Sequence, residues 1–302
     1  MFEKFRGTGT AIVTPFNKDG NVDFKSFQNL IEYQIGNQVE YIVFLGTTGE
    51  SVTLNTDERC AVINFAVEMV DKRVPVVIGI GGNNTQEIEN SIRQTSFEGI
   101  DAILSVSPYY NKPQQKGIFY HYKALAAISP VPIIMYNVPS RTGSNIKAET
   151  CLQIAREVNG IIGIKEASQD LAQCAKIIKY KPEKFLVISG NDDLALPFMA
   201  IGGDGVISVV SNAFPREFSQ MIRYCLQNDF VSARQIQTRL VDVIEAIYAD
   251  GSPSGIKAVL HMKGLCLNSL RLPLVKINKA LSNQISTILN EMNSFAHTSK
   301  IP

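Results

Sequence analysis

A chain of 302 residues with 45% hydrophobic and 19% charged side chains has ample material for a large buried core and lacks the composition of a disordered protein. With 29 Lys and Arg against 28 Asp and Glu, the net charge of +1 supplies no basic field for nucleic acid or an anionic membrane, so a small-molecule ligand is expected. No apolar run is long enough to span a bilayer and the first residues lack the apolar segment of a signal peptide, so the chain is expected to be soluble and cytoplasmic.

A strand is expected over about 9–13, closed by Thr14-Pro15-Phe16 and the polar loop Asn17-Lys18-Asp19-Gly20, after which Asp23 caps a helix to about Gly36. Strand-like runs recur at 41–45, 74–80, 102–106, 131–136, 161–165, 185–189 and 206–210, with amphipathic segments between them. In one of these segments, Asn55 or Thr56 can cap, Glu58 follows in the first turn, and Cys60, Ile63, Val67 and Val70 are expected to form the apolar stripe. Strands alternating with helices imply a parallel sheet, and eight such units are the number that closes a barrel. The competing open sheet would bind a dinucleotide, yet no G-x-G-x-x-G follows an early strand. Nor does Gly79-Ile80-Gly81-Gly82-Asn83-Asn84 have an acidic ribose partner.

From Pro215 onward the strand signals stop, and helices are expected over 215–227, 230–248, 254–265 and 273–292. The first completes the eighth unit; the other three form an appendage joined at Asn228-Asp229. The expected architecture is therefore a (β/α)8 TIM barrel over 1–228 with a C-terminal helical region over 229–302, its tail frayed from Ala296. Cys60, Cys151, Cys174, Cys225 and Cys266 are widely spaced without a C-x-x-C and read as reduced thiols. The three histidines have no zinc-ligand spacing, so no metal is expected.

In such a barrel the chemistry lies at the C-terminal ends of the strands. After the second strand, Gly46-Thr47-Thr48-Gly49-Glu50-Ser51 offers two hydroxyls and a nest of backbone N–H groups for a small carboxylate, although an ordinary loop could look the same. Ser107-Pro108-Tyr109-Tyr110-Asn111 follows the fourth strand, and the fifth ends in Tyr136-Asn137-Val138-Pro139-Ser140-Arg141-Thr142-Gly143. The sixth, Ile161-Ile162-Gly163-Ile164-Lys165-Glu166-Ala167-Ser168, is an apolar run ending in a lysine, and a period of two places Lys165 on the face of Gly163 and Ile161. If that face lines the barrel, desolvation lowers the amine pKa from ~10.4 and leaves more free amine to attack a carbonyl.

Taken alone, each group fits a plainer role. Lys165 could leave the strand for solvent, Tyr136 could be core with a satisfied hydroxyl, and Arg141 could form a surface salt bridge. On one rim, however, a buried-strand lysine, phenols with threonine hydroxyls, and an arginine able to grip a carboxylate are the parts for imine chemistry on a 2-oxo acid.

The segments GTTGES at 46–51, SPYYNKP at 107–113, YNVPSRTG at 136–143 and GIKEAS at 163–168, in this order, resemble the 4-hydroxy-tetrahydrodipicolinate (dihydrodipicolinate) synthases. These belong to the pyruvate-dependent class I aldolases that include N-acetylneuraminate lyase. The resemblance runs from about Phe5 into the C-terminal helices. It implies a lyase of diaminopimelate and lysine biosynthesis that holds pyruvate as a Schiff base on Lys165 and condenses it with L-aspartate 4-semialdehyde. It further implies that Thr47, Tyr110 and Tyr136 relay protons, with Tyr136 the main acid/base and Tyr110 reaching a neighbouring subunit's site. Thr48, helped by backbone near Ile207, would hold the pyruvate carboxylate, Gly190 would be a further substrate-binding position, and Arg141 would hold the carboxylate of the second substrate. A homotetramer built as a dimer of dimers, with no metal or organic cofactor, is implied as well.

The chain departs from the family pattern in two places. Gln169 stands where a glycine is common, which bears on the loop after the lysine strand. On the helix after GTTGES, Thr56 and Arg59 stand where lysine-inhibited relatives carry histidine or an acidic group. Ser51, Asn83, Glu87 and Tyr109 otherwise fit an allosteric lysine site, and a cation at Arg59 implies weak or absent inhibition. The rivals are a sialic-acid-type lyase, a 2-keto-3-deoxy sugar acid aldolase, and a non-catalytic barrel that binds a 2-oxo acid. The Ser140-Arg141-Thr142-Gly143 segment favours the synthase, and the filled catalytic positions argue against a silent barrel.

Overall fold

The computed structural model describes residues 2–298, with side chains described to Met292. Eight strands, β1 (Gly7–Ala11), β2 (Tyr41–Phe44), β3 (Val76–Gly79), β4 (Ala102–Val106), β5 (Ile133–Asn137), β6 (Ile161–Glu166), β7 (Leu186–Ser189) and β8 (Gly205–Ser208), pair in parallel in sequence order, and β8 pairs with β1 to close the barrel. The expected strands are all present, with ends displaced by up to two residues. Their residues are buried almost throughout, because one face fills the barrel and the other lies under helices. Val43, Val77, Leu104, Ile134, Leu186 and Ile188 belong to the inner cluster, whereas Ile42, Ile78, Ile103, Ile133 and Val187 pack into the outer one.

The helices are α1 (Phe24–Gly36), α2 (Thr56–Val70), α3 (Thr85–Gln94), α4 (Gln115–Ile128), α5 (Pro139–Thr142), α6 (Ala148–Glu157), α7 (Leu171–Tyr180), α8 (Ala195–Ala200), α9 (Pro215–Leu226), α10 (Phe230–Ala249), α11 (Ser254–Met262) and α12 (Lys279–Thr298). Asp23 caps α1 by accepting from the Ser26 N–H at 3.1 Å. At α2 the capping box is complete, with Glu58 N donating to Asn55 Oδ1 at 2.9 Å and Asn55 N to Glu58 Oε2 at 3.0 Å. Its buried stripe is Val62, Ile63, Ala66 and Val70; Cys60 is exposed, so the expected stripe was rotated by part of a turn. The five cysteines are free thiols.

Two further corrections concern the sixth strand and the last helix. Ile133 pairs with Ile161 but Ile134 pairs with Gly163, so β6 bulges by one residue at Ile162. Ile161 therefore lies in the outer cluster and Ile162 in the inner one, and Lys165 does not share a face with Ile161. Gly163 has no space for a side chain, since a Cβ there would lie 2.7 Å from Leu186 O and 2.8 Å from Leu186 Cβ. α12 begins at Lys279 instead of 273, because Asn278 Oδ1 accepts from the Leu281 N–H at 2.9 Å and supplies the cap. It continues through Ala296 to Thr298; the rest of the expected frayed tail lies outside the described residues.

α10, α11 and α12 are not a separate globule with its own core. Leu240, Val243, Ile247, Ile256, Val259 and Leu281 belong to the same apolar cluster as the outer faces of the strands. Among the described residues no helix is long and apolar enough to cross a membrane.

Candidate active site

In the ladder between β5 and β6, Tyr136 is paired with Lys165 and Asn137 with Glu166. Alternation turns the first pair into the barrel and the second outward. Lys165 is 5% exposed, and its Nζ stands 4.5 Å from the centre of the Tyr136 ring. Burial lowers its amine pKa to about 8, against the opposing pull of the Asp192 carboxylate and with help from the Arg141 charge. The amine is thus desolvated inside the barrel and does not mark an exit to solvent.

The outward pair locks the inward one. Asn137 Nδ2 donates to both Glu166 carboxylate oxygens at 2.9 and 3.0 Å, and Glu166 also accepts from Ser168 N at 2.8 Å and from Gln173 Nε2 at 3.0 Å. Asn137 Oδ1 accepts from Ile146 N at 2.9 Å, so both strand ends are tied to the segments that follow. Gln169 takes a left-handed φ of 65°, the conformation that a glycine would adopt freely, and the turn still delivers Asp170 to cap α7.

The other expected groups lie at neighbouring strand ends. Burial raises the Tyr136 phenol pKa, while the Arg141 charge and a hydrogen bond with the Thr47 hydroxyl pull it back. Thr47 is exposed and Thr48 is 4% exposed in a turn where Gly49 N donates to Gly46 O and Glu50 N to Thr47 O, each at 3.1 Å. Ile207 lies inside the barrel on β8, paired with Gly9. Gly190 follows β7 against the lysine: a Cβ there would stand 2.9 Å from Lys165 Cε and 2.7 Å from Ala167 Cβ. Arg141, on the short α5, donates from Nη2 to Ser252 O at 3.4 Å.

Tyr110 differs from these groups. It is 87% exposed on a left-handed backbone with φ 73°, and it is not buried with Lys165 and Tyr136 in this chain. Ser51, Asn83, Glu87 and Tyr109 follow β2, β3 and β4 in turn; Asn83 and Glu87 are exposed, Ser51 and Tyr109 half-buried. Arg59 Nε donates to Ser51 O at 3.2 Å, so the cation lies against this group. Among the described residues no cluster of His, Cys, Asp or Glu is arranged to hold a metal ion.

Asp192 and Glu166 were not given roles from the sequence. Asp192 is 1% exposed, and its Oδ2 accepts from Val209 N at 3.1 Å, Val210 N at 3.2 Å and the Tyr248 hydroxyl at 2.7 Å. Burial raises its carboxyl pKa. Gly190-Asn191-Asp192-Asp193 directly after a strand was the available signal, by the same rule that singled out the other strand ends.

The arrangement can form an imine: a desolvated amine, a phenol with a hydroxyl partner, a small-anion turn and a cation beside them. Residues 4–292 match the profile of the Dihydrodipicolinate synthetase family. A 4-hydroxy-tetrahydrodipicolinate synthase from Cytophaga hutchinsonii is 49% identical over 281 residues, which are 93% of this chain and 94% of that protein. The dihydrodipicolinate synthase of Thermotoga maritima superposes with a TM-score of 0.94 at 38% identity, covering 96% of this chain and 99% of the other. A monomeric dihydrodipicolinate synthase variant, also at 0.94 and 38%, is covered to 98% by 97% of this chain. This chain belongs to the dihydrodipicolinate synthetase family.

Proposed function

We propose that the protein is a 4-hydroxy-tetrahydrodipicolinate synthase that condenses pyruvate with L-aspartate 4-semialdehyde through a Schiff base on Lys165. The observation that carries this is the registered, inward-facing pair Tyr136 and Lys165, with the amine buried and its pKa lowered to about 8. The free amine attacks the C2 carbonyl of pyruvate, the carbinolamine loses water, and loss of a C3 proton gives an enamine. C3 then bonds to the aldehyde carbon of the second substrate, whose oxygen takes a proton and becomes a hydroxyl. The substrate's own amine next attacks the imine carbon, closing the ring and releasing Lys165.

Tyr136, with Thr47 as its hydroxyl partner, supplies and removes the protons. Thr48, Gly190 and backbone near Ile207 surround the pyruvate carboxylate, and Arg141 holds the carboxylate of the semialdehyde. Tyr110 completes the relay in a second copy of the chain, within a homotetramer built as a dimer of dimers. Its exposure on the surface of one chain supports such a role. The chemistry needs no metal or organic cofactor, and the free thiols suit a reducing cytoplasm.

Rates with pyruvate and the semialdehyde, compared with pyruvate and sugar-derived aldehydes, test the substrate assignment. The semialdehyde should be preferred, and Arg141→Ala should raise its KM by about tenfold or more while leaving pyruvate imine formation on the alkaline plateau largely intact. Preference for a sugar-derived aldehyde would instead make the protein one of the related aldolases. Ser51, Asn83, Glu87 and Tyr109 form part of the same proposal as a lysine site weakened by Arg59. Half-inhibition by sub-millimolar L-lysine would contradict that part.

A further inference from the structure

We infer that the buried pair Glu50–Lys257 is a positioning device through which the C-terminal helices set the affinity for pyruvate. The inference rests on the assignment of the Thr47-Thr48 turn to the pyruvate site. Glu50 is the fifth residue of that GTTGES turn, held at a left-handed φ of 51°, and its N–H closes the turn onto Thr47 O at 3.1 Å. Its side chain is fully buried, as is that of Lys257 on α11, and the two are joined by a direct ion pair.

Every further contact of the pair ties the turn to a distant segment. Glu50 Oε2 accepts from Arg271 N at 3.1 Å, and Lys257 Nζ donates to Ser269 O at 2.9 Å and stands 4.1 Å from the Phe16 ring centre. The Arg271 guanidinium, 4.6 Å from the same ring, donates to Gly20 O and Thr53 O at 2.9 Å and bidentately to Glu58 at 2.8 and 2.5 Å. The loops after β1 and β2, the start of α2 and the segment after α11 thus meet around the Glu50–Lys257 pair and the neighbouring Arg271. On the other side, the Thr14 hydroxyl donates to Gly49 O at 2.7 Å.

The choice of chemistry supports a positional role over a stabilising one. A buried ion pair has to recover a large desolvation cost, and apolar residues of equal volume generally serve stability as well or better. What the pair provides is directionality, because a carboxylate fixed by an ammonium and a backbone N–H leaves the turn a single orientation. The hydroxyl of Thr48, assigned to the pyruvate carboxylate, lies two residues before Glu50, so that orientation is transmitted along the backbone to it.

The test uses the full-length protein with Glu50→Gln/Lys257→Met together, which removes the pair without leaving one charge buried and unpaired. The double variant should raise the KM for pyruvate by about tenfold or more, with the semialdehyde KM unchanged. Pyruvate-dependent borohydride labelling of Lys165 at saturating pyruvate should persist. A folded double variant with an unchanged pyruvate KM, or with both KM values and kcat damaged alike, overturns the inference. Should the double variant not fold, Arg271→Ala, which keeps the pair but cuts its outer ties, decides: a pyruvate KM raised by about threefold supports the inference and an unchanged one overturns it. A wild-type protein that pyruvate and borohydride do not label overturns the pyruvate assignment and the clamp's role with it, whereas a labelled wild type with an unmoved variant KM overturns the clamp alone.

Discussion

The reactivity of Lys165 is set by what surrounds one nitrogen atom. Burial lowers its pKa to about 8, the Asp192 carboxylate raises it and the Arg141 guanidinium lowers it. The attacking species is the free amine, so the rate of imine formation at limiting pyruvate should climb roughly tenfold per pH unit below about 8 and level off above it. The two charges make opposed predictions. Asp192→Asn removes the charge that favours the ammonium, which moves the acid limb of kcat/KM for pyruvate to lower pH. Arg141→Ala removes the charge that disfavours it and moves the limb to higher pH. Movement in the same direction for both variants would show that the limb belongs to another group. At this scale the sequence exposed the chemistry better than its tuning: the lysine, the phenol and the hydroxyls stand in recognisable segments, whereas Asp192 reaches the site only by folding between β8 and α10.

The elements that hold these residues were legible to different depths. Strands were visible as β-branched runs because a parallel barrel buries both faces, but their ends were not, since pairing with neighbours decides where a run stops being a strand. The bulge at Ile162 left no trace in an uninterrupted apolar run, and it alone separates Ile161 from the face of Lys165. Caps were legible because they are local: Asp23 and Asn55 act as their types predict. Glu58 shows how a local signal acquires a tertiary role, since it completes the α2 capping box and also receives Arg271 bidentately. Mainly through Arg271, its carboxyl pKa is lowered to about 2. A depressed carboxyl contributes stability that is present above the unfolded pKa of ~4.3 and is lost as pH falls toward 2. Glu58→Gln should therefore cost roughly 1 kcal/mol by urea denaturation at pH 7, and the deficit should shrink between about pH 4.5 and 2. A deficit that is constant across this range would place the contribution in packing and the cap, outside the ion pair.

At the scale of the whole molecule, the count of eight strands was the decisive inference, because it closes the sheet and brings every strand end onto one rim. The C-terminal helices were legible as helices but not as parts of the site. Only the folded chain shows that α10 reaches Asp192 through Tyr248 and that α11 reaches the Thr47-Thr48 turn through Lys257 and Glu50. Tyr110 is exposed on the single chain, so the relay role proposed for it requires that another chain meet it there. All of these relations converge on covalent capture of pyruvate by one lysine. The direct measurement is peptide mass spectrometry of the protein treated with pyruvate and borohydride. The peptide containing Lys165 should gain the mass of a reduced pyruvyl group, and Lys165→Ala should gain none. A label on a different residue, or no label in the folded wild-type protein, would contradict the account.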